Sequence, residues 1–470
     1  MDDCAKEYHR VVKRLPAVLS KWQAMGVVIG GTIGASIFLV PSVIAQRVPF
    51  LAGALGIWFI GAAIALAGVL TFSELSAMLP EAGGGYAYIR TAMGPMVGFL
   101  FAWTDSFLIR SGAAAAISFT FAIYFAQLVP PPANISLAVW EGASAIILIG
   151  LLCVVNSLGA RAGAGVQVAG MVMKTVALAS ALLLPLILWH GTNNLKTAPL
   201  WPQAGVAVGA SLLAAMIPVM WTFGGWEQLA HLAEEIRDPG KNLPQVFAGG
   251  LAVMGLLFLM VAVGIHYVLP YATVAKSEAV GADLFRALFG PIGVQVISTV
   301  IMLSAVVTGN GAILAGSRAA FAVARDGSGP QWLGRVNGFQ APANGVWAIG
   351  GWAIIIIALS VAAMAFPSSA RWLQNRPLFD VLISYVMFGY LLFQGLVSLS
   401  LILLRRMHPE WPRPFRVPGY PFTPIASIGA TVFLMAAVAR SNTVEVFAGL
   451  LLIAAGLPVW WVFSRGKNRP

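Results

Sequence analysis

The stretch Gly30-Gly31-Thr32-Ile33-Gly34-Ala35-Ser36-Ile37-Phe38 lies inside the first long apolar segment of this 470-residue chain. A second glycine-containing stretch, Trp221-Thr222-Phe223-Gly224-Gly225-Trp226, lies inside the sixth such segment. Glycine lowers helix stability and adopts backbone conformations that are closed to other residues. Both stretches therefore predict a break within an otherwise apolar helix.

The composition around these stretches identifies the solvent in which the chain folds. Apolar residues make up 59% of the sequence and charged residues 10%, with a mean hydropathy of +0.85. A soluble domain has about 45–50% apolar and about 25% charged residues. The excess excludes an ordinary soluble enzyme, a disordered chain and a disulfide scaffold. It predicts an all-α polytopic membrane protein, surrounded by lipid.

Apolar segments long enough to span a bilayer recur along the chain. A membrane span must be helical and about 20 residues long, because lipid offers the backbone no hydrogen-bond partner. We expect twelve transmembrane helices, near 23–45, 52–79, 95–128, 136–156, 163–189, 206–232, 246–270, 283–323, 343–366, 377–404, 420–440 and 444–464. The predicted parts of the chain are a cytoplasmic N-terminal segment (1–22), a first repeat (23–189), a second repeat (206–404), two further helices (420–464) and a cytoplasmic tail (465–470).

The basic residues indicate how these helices are oriented. Most of the 28 lysines and arginines fall in loops that are cytoplasmic if the N-terminus is inside, which is the bias seen in membrane proteins. This predicts a multi-pass protein of the cell membrane with both termini in the cytoplasm. The same bias explains the net charge of +11, and no basic stripe with interleaved aromatic residues indicates nucleic-acid binding.

Residues that would hold a metal or drive covalent chemistry are sparse. The two cysteines, Cys4 and Cys153, form no disulfide framework, and the five histidines have no metal-ligand spacing. We therefore expect no metal, no cofactor and no catalytic residue. A membrane-embedded enzyme would need a convergent acid–base or metal group, and a channel would need a continuous charged or carbonyl-lined pore.

The two predicted breaks indicate a binding site. Five helices separate them, which is the spacing expected if helices 1–5 and 6–10 are inverted repeats, and paired broken helices mark the substrate site of transporters. The N–H groups that begin one half-helix favour an anion, and the carbonyls that end the other suit a cation. Together they suit the carboxylate and ammonium of an amino acid. The alternative is that the glycines only allow close helix packing, but two clusters at repeat-related positions favour a site.

Further motifs resemble a known family over nearly the whole chain. One motif is the first break itself. A second runs from Phe223 to Gln228 and continues as Glu234-Glu235-Ile236-Arg237-Asp238-Pro239 and Asn242-Leu243-Pro244. The others are Glu81 to Tyr88, Ala324-Arg325-Asp326-Gly327, and Arg413 to Pro418. In order and spacing they resemble the amino acid–polyamine–organocation (APC) superfamily, and within it the L-type amino acid transporters. The resemblance implies a LeuT-like fold, a five-plus-five inverted repeat with broken helices 1 and 6. It also implies sodium-independent exchange of amino acids.

The resemblance carries the substrate contacts to particular positions. The substrate-binding residues that it implies are Thr32, Ile33, Gly34, Ala35, Ser36, Ile37, Trp221, Thr222, Phe223, Gly224 and Gly225. Backbone N–H groups from Ala35 to Ile37 would bind the carboxylate, and carbonyls of both breaks would bind the amino group. Trp221 occupies the place of an aromatic gate. Ser36 departs from the usual glycine and adds a side chain to the site.

Charged residues at membrane depth are expensive and are functional candidates by default. In L-type relatives a lysine at the position of Lys174 lies beside the first break, so the resemblance implies that its ammonium replaces a sodium ion. Asp105 and Arg110 are five residues apart, which predicts that they lie off a common helix face and that each pairs with another helix.

The remaining pocket-facing positions favour a neutral substrate. Ala113, Asn310 and Tyr385 are candidate lining residues of the substrate path, and the segments expected to face the pocket offer no negative charge. The alternative is a proton-coupled symporter, including one with a broader or cationic range. The predicted loop 129–136 contains no cysteine, so we expect a stand-alone protein of prokaryotic type without a disulfide-linked heavy chain.

Overall fold

A computed structural model describes residues 14–277, 279–365, 378–441 and 443–466 of the chain. Its named elements are helical, and each predicted span overlaps helix, with the first and sixth spans interrupted. The helices, in chain order, are α1 Lys21–Thr32, α2 Val40–Arg47, α3 Leu51–Met78, α4 Gly85–Met93, α5 Pro95–Leu128, α6 Leu137–Ser157, α7 Ala160–Leu188, α8 Val208–Thr222, α9 Gln228–His231, α10 Pro239–Val268, α11 Tyr271–Lys276, α12 Val280–Arg325, α13 Ala343–Ala365, α14 Leu378–Met407, α15 Phe422–Ser441 and α16 Thr443–Gly466.

Length and hydropathy support a polytopic membrane protein. Within the described ranges, nine helices are long and apolar enough to cross a bilayer, and Val208–Thr222 and Gly449–Phe463 are shorter apolar helices. The first predicted span is divided between α1 and α2 by its break. The chain is thus a multi-pass membrane protein, whereas twelve crossings and the inverted repeat stay predictions.

The first break has a local cause in the sequence. Helix α1 begins at a capping box, in which the Ser20 hydroxyl accepts from the Gln23 N–H and the Gln23 side chain accepts from the Ser20 N–H. The helix ends at Thr32, and the next two residues are extended. A short 3-10 turn, Ala35–Phe38, then leads into α2, with a proline in its first turn. The predicted interruption within 30–38 is therefore present.

The second break touches the first. Helix α8 ends at Thr222, and Gly225 has φ of +108°, a conformation that favours glycine. A Cβ atom at Gly225 would lie 3.0 Å from the Gly31 carbonyl oxygen and 3.1 Å from the Thr32 Cα. The backbones of the two broken segments are thus in van der Waals contact, without a side chain between them.

The long helix α5 contains an irregular turn. Residues Asp105–Arg110 form a π-helix, in which residues five apart come onto one face. The Arg110 Nε accordingly lies 3.0 Å from the Asp105 Oδ1. The prediction that this pair lies off a common face is wrong, because it assumed α-helical periodicity. Arg110 also bonds a residue of another segment, as predicted.

The other long predicted span, 283–323, owes its length to a kink. Helix α12 has φ of +62° at Gly290, immediately before Pro291, so two helices meet there at an angle. This kink separates a short first segment from the long apolar part.

One carboxylate joins three segments at the end of the molecule that is predicted to be cytoplasmic. Glu234 accepts hydrogen bonds from the backbone N–H groups of Leu15 and Ala82, at 2.9 and 3.0 Å. Its other partner is Arg325, whose Nη1 lies 2.7 Å away. We call these four residues the Glu234 junction.

Candidate substrate site

A cavity of about 130 Å³ lies where the two breaks meet α5, α12 and α14. It is smaller than typical small-molecule pockets of about 300–1,000 Å³, so it suits a small ligand. Its lining residues are Gly31, Thr32, Gly34, Ser36, Ile109, Arg110, Gly112, Ala113, Ala116, Ile117, Thr120, Trp221, Gly224, Gly225, Glu227, Gln228, Ala305, Thr308, Val386 and Tyr390.

From the first break, Thr32, Gly34 and Ser36 line this cavity. Ile33 and Ile37 are buried in the surrounding core, at 1% and 0% exposure, so only their backbone groups could serve a ligand. The first N–H groups of a helical turn have no acceptor within the turn, and the 3-10 turn begins at Ala35. The side chain of Ala35 is outside the described part. Ser36 is the residue after Ala35 and lies in the cavity wall.

From the second break, Trp221, Gly224 and Gly225 line the cavity. The Trp221 carbonyl already accepts a 3.0 Å hydrogen bond from the Gly224 N–H. Thr222 and Phe223 turn away from the cavity. The Thr222 hydroxyl donates to the Pro218 carbonyl at 2.9 Å.

Phe223 belongs to an aromatic cluster behind the break. Its ring centroid lies 5.1 Å from that of Phe258 and 6.2 Å from that of Trp58. Aromatic pairs at such distances stabilise packing. Phe223 thus supports the broken segment from outside instead of contacting the cavity.

Lys174 is buried beside the first break, as predicted. Its Nζ donates to the Gly30 carbonyl at 2.6 Å and to the Thr308 hydroxyl at 2.8 Å. Thr308 in turn lines the cavity. The ammonium thus joins the last turn of α1 to α12 through two neutral oxygens.

One charged residue of the second broken segment, Glu227, also lines the cavity. The Glu227 carboxylate lies 3.3 Å from the Arg110 Nη2, accepts from the Gly225 N–H at 2.9 Å and accepts from the Tyr390 hydroxyl at 3.2 Å. The expectation that pocket-facing segments carry no negative charge is therefore wrong. Helical periodicity does not apply across the break, so the direction of Glu227 was not readable from the sequence.

The three candidate path residues have different positions. Ala113 lines the cavity. Asn310 does not line it, because its amide bonds Asn156 and the Gly163 carbonyl, at 2.8 and 2.9 Å, and joins three helices. Tyr385 lies outside the residues whose side chains are described. Arg110, Glu227, Thr308 and Tyr390 were missed as cavity residues, and the signal for Arg110 was a charge at membrane depth.

The same broken helices and cavity sit in a chain whose sequence matches a family model described as "Amino acid permease" over residues 19–463. This match covers almost the whole described fold, including both breaks.

The chain belongs to the amino acid permease family.

Three relatives place this permease more closely. It is 27% identical to the serine/threonine exchanger SteT of Bacillus subtilis, over 94% of this chain and 96% of the relative. It is 26% identical to the human b(0,+)-type amino acid transporter 1, over 94% and 87% of the two chains. It is also 25% identical to the human cystine/glutamate transporter, over 95% and 85%.

These findings confirm the resemblance to the APC superfamily and its L-type members. The permease is a membrane transporter related to amino acid transporters, and it is not an enzyme. The expectation of amino acid transport is thus confirmed at the level of the family.

Proposed function

We propose that this permease exchanges neutral L-amino acids across the cell membrane by alternating access, without sodium. One observation carries the proposal: the two broken segments meet at a small cavity, with backbone groups of both at its wall. The substrate carboxylate would bind the N–H groups from Ala35 to Ile37. The substrate amino group would bind carbonyls of Thr32, Ile33 and Gly224.

The charges in the cavity wall favour a substrate with a neutral side chain. Glu227 is 6% exposed and Arg110 is 4% exposed, and the two form an ion pair. A buried carboxylate that is already paired gains little from a second cation, whereas breaking a buried pair is costly. A neutral substrate leaves the pair intact. The name of SteT, a serine/threonine exchanger, supports small substrates and exchange.

The position of Lys174 supports sodium independence. Its ammonium lies on the Gly30 carbonyl and the Thr308 hydroxyl, two oxygens of the kind that would coordinate a sodium ion. A protonated Lys174 at this position would repel a second cation. We infer that Lys174 takes the place of the ion.

The second candidate is proton-coupled symport, including a broader or cationic range. It is favoured by the presence of a carboxylate, Glu227, in the wall of the cavity. The names of the b(0,+)-type relatives state amino acid transport and do not mention exchange. Of the three relatives described above, SteT is the one whose name favours exchange.

The architecture proposed with this function follows the division of the chain predicted from the sequence. It has twelve transmembrane helices in a LeuT-like five-plus-five arrangement, with both termini in the cytoplasm. The repeats are residues 23–189 and 206–404, followed by helices in 420–464. We also propose that no disulfide-linked heavy chain is required, since the loop 129–136 has no cysteine.

Purified permease in liposomes tests the function. Uptake of labelled alanine, serine, leucine and arginine would be measured at equal pH on both sides without sodium, into vesicles loaded with unlabelled alanine and into empty ones. Exchange predicts uptake of the neutral amino acids into loaded vesicles only, unchanged by added sodium.

Two results would reject parts of this proposal. Uptake into empty vesicles that increases with an inward proton gradient would replace exchange by symport. Failure of all four amino acids to enter, with folded and inserted protein verified, would reject the amino acid clamp.

A further inference from the structure

A second group of buried charges lies behind the Arg110–Glu227 pair. Asp105 and His231 are each 2% exposed, and the Asp105 Oδ2 lies 3.7 Å from the His231 Nε2. Asp105 Oδ2 and His231 Nδ1 are buried polar atoms without a hydrogen-bond partner. Such atoms are costly unless a proton or a small ligand satisfies them.

The charges of this group do not balance without a proton. Asp105 and Glu227 each carry a negative charge when ionised, and Arg110 bonds both, at 3.0 and 3.3 Å. If His231 is neutral, one negative charge is left over. An isolated buried charge is strongly unfavourable, so one additional proton is required for neutrality.

We propose that Asp105 holds a single exchangeable proton on its Oδ2, beside the His231 ring, and that its loss shifts substrate preference from neutral towards cationic amino acids. The shift in preference rests on the proposed function, whereas the proton site does not. On deprotonation the O–H bond breaks, its electron pair stays on Asp105, and water takes the proton.

Arg110 connects the proton to the substrate cavity. With the proton present, Asp105 is neutral and attracts the Arg110 guanidinium less strongly. Arg110 then neutralises the Glu227 carboxylate at the cavity wall. Without the proton, Arg110 is shared between the ionised carboxylates of Asp105 and Glu227, and the cavity gains one net negative charge. At about 4–10 Å and an effective dielectric constant of about 20, such a charge changes the affinity for a cation by about tenfold or more.

The other groups that face Asp105 and His231 do not supply the missing positive charge. The Tyr390 hydroxyl donates to Glu227 on the cavity side, and the Arg110 Nη2 lies 3.3 Å from the His231 Nε2. The Phe101 ring stacks on His231 with centroids 6.3 Å apart. A cavity of about 20 Å³ adjoins the group, which is room for about one water molecule to carry the proton.

Infrared difference spectra of the purified full-length permease test the proton site without transport. Spectra would be compared between about pH 5 and about pH 8, a range into which burial can move the titration of a carboxyl group. We expect a carboxylic acid band that disappears at the higher pH and is absent from Asp105→Asn. A spectrum of Asp105→Asn identical to the wild type would overturn the site.

Transport tests the link to substrate preference. The ratio of arginine to alanine exchange in liposomes should rise about tenfold from pH 5 to pH 8 in the wild type, in keeping with one added charge. Asp105→Asn needs no additional proton for neutrality, so its ratio should stay constant. Glu227→Gln should keep the ratio low at every pH, because the cavity then lacks the carboxylate.

The control is Asp283→Asn, which removes a carboxylate from an exposed pair with Arg286 at 2.9 Å and should keep the wild-type profile. A pH-independent wild-type ratio would overturn the link. A titrating infrared band in a protein that transports no amino acid would support the proton site and reject the proposed function instead. His231→Gln provides a second variant, in which we expect the proton to stay on Asp105 and the midpoint of the profile to move.

Discussion

Lys174 shows how a single residue can stabilise a broken helix. Its ammonium bonds the Gly30 carbonyl, which belongs to the last turn of α1, and the Thr308 hydroxyl of α12. A carbonyl near a helix end lacks an intrahelical donor, so the lysine satisfies a group that the break leaves open. The charge at membrane depth made Lys174 visible in the sequence, whereas its partner Thr308 is an ordinary polar residue of another helix.

Replacing Lys174 by alanine should reduce exchange about tenfold or more. A hydrogen bond to a charged group contributes about 1.5–3 kcal/mol, and about 1.4 kcal/mol corresponds to a factor of ten. The initial rate of alanine counterflow measures the loss. Ser180→Ala is the matched control on the same helix, since the Ser180 hydroxyl bonds only within that helix, to Ala177. Equal rates for Lys174→Ala and wild type would contradict the role.

Ser36 should set the size of the accepted side chain. With Thr32, it is one of the two first-break residues with a side chain beyond Cα that line the cavity. Ser36→Gly removes that side chain and leaves the backbone donors in place. We expect the ratio of leucine to alanine exchange to rise by up to about tenfold, the effect of about one methylene-sized space. An unchanged ratio would show that the size limit lies elsewhere in the cavity.

At the scale of elements, the two breaks depend on a close approach of backbone to backbone. Gly225→Ala would place a Cβ 3.0 Å from the Gly31 carbonyl oxygen at a φ of +108°. The strain should cost about 1–3 kcal/mol and separate the two broken segments. Thermal unfolding in detergent should show a lower midpoint temperature than in the wild type. Added substrate should no longer raise that temperature.

Gly56→Ala is the matched control for that change. A Cβ at Gly56 meets nothing within 4 Å, and the residue lies inside the regular helix α3. Alanine there should stabilise the helix by up to about 1 kcal/mol and leave substrate binding intact. Similar behaviour of the two variants would mean that contact between the breaks does not matter.

The elements also show what could be predicted from sequence. The breaks were predictable because glycine acts locally, and the apolar spans because the bilayer imposes their length. The π-helix at Asp105–Arg110 was not, because residues outside that turn decide its register. The direction of the Glu227 side chain was not predictable either, since the broken segment has no helical period to follow. The pairing of Asn310 with Asn156 depends on tertiary packing, which a single sequence does not report.

At the scale of the whole molecule, the Glu234 junction should govern access to the cavity from one side. Its carboxylate ties Leu15, Ala82 and Arg325 together. Glu234→Ala releases all three partners at once. We expect the equilibrium to shift towards a conformation open at this end, because a buried pair is broken.

A thiol reporter in the cavity measures that shift. In a chain with Cys4→Ala and Cys153→Ala, the substitution Ala113→Cys places a thiol at the cavity wall. Its labelling in detergent should become about tenfold faster with Glu234→Ala, in line with a shift of about 1.4 kcal/mol. Asp283→Asn, from an exposed pair worth about 0–1 kcal/mol, should not change the rate. A slower or equal rate with Glu234→Ala would reject the junction as a gate.

The π-helix in α5 has a consequence for sequence change over evolutionary time. A π-helical turn accommodates one residue more than the α-helix around it. The stretch Asp105–Arg110 is therefore a place where one residue could be deleted without disturbing the flanking helical turns. Such a deletion would restore α-helical geometry while both ends of the span kept their facing. It would leave Asp105 and Arg110 four residues apart, a spacing that places both side chains on one face of an α-helix. A lineage could thus lose or acquire the π-helical turn through one codon and keep this ion pair, without rebuilding the helix that carries it.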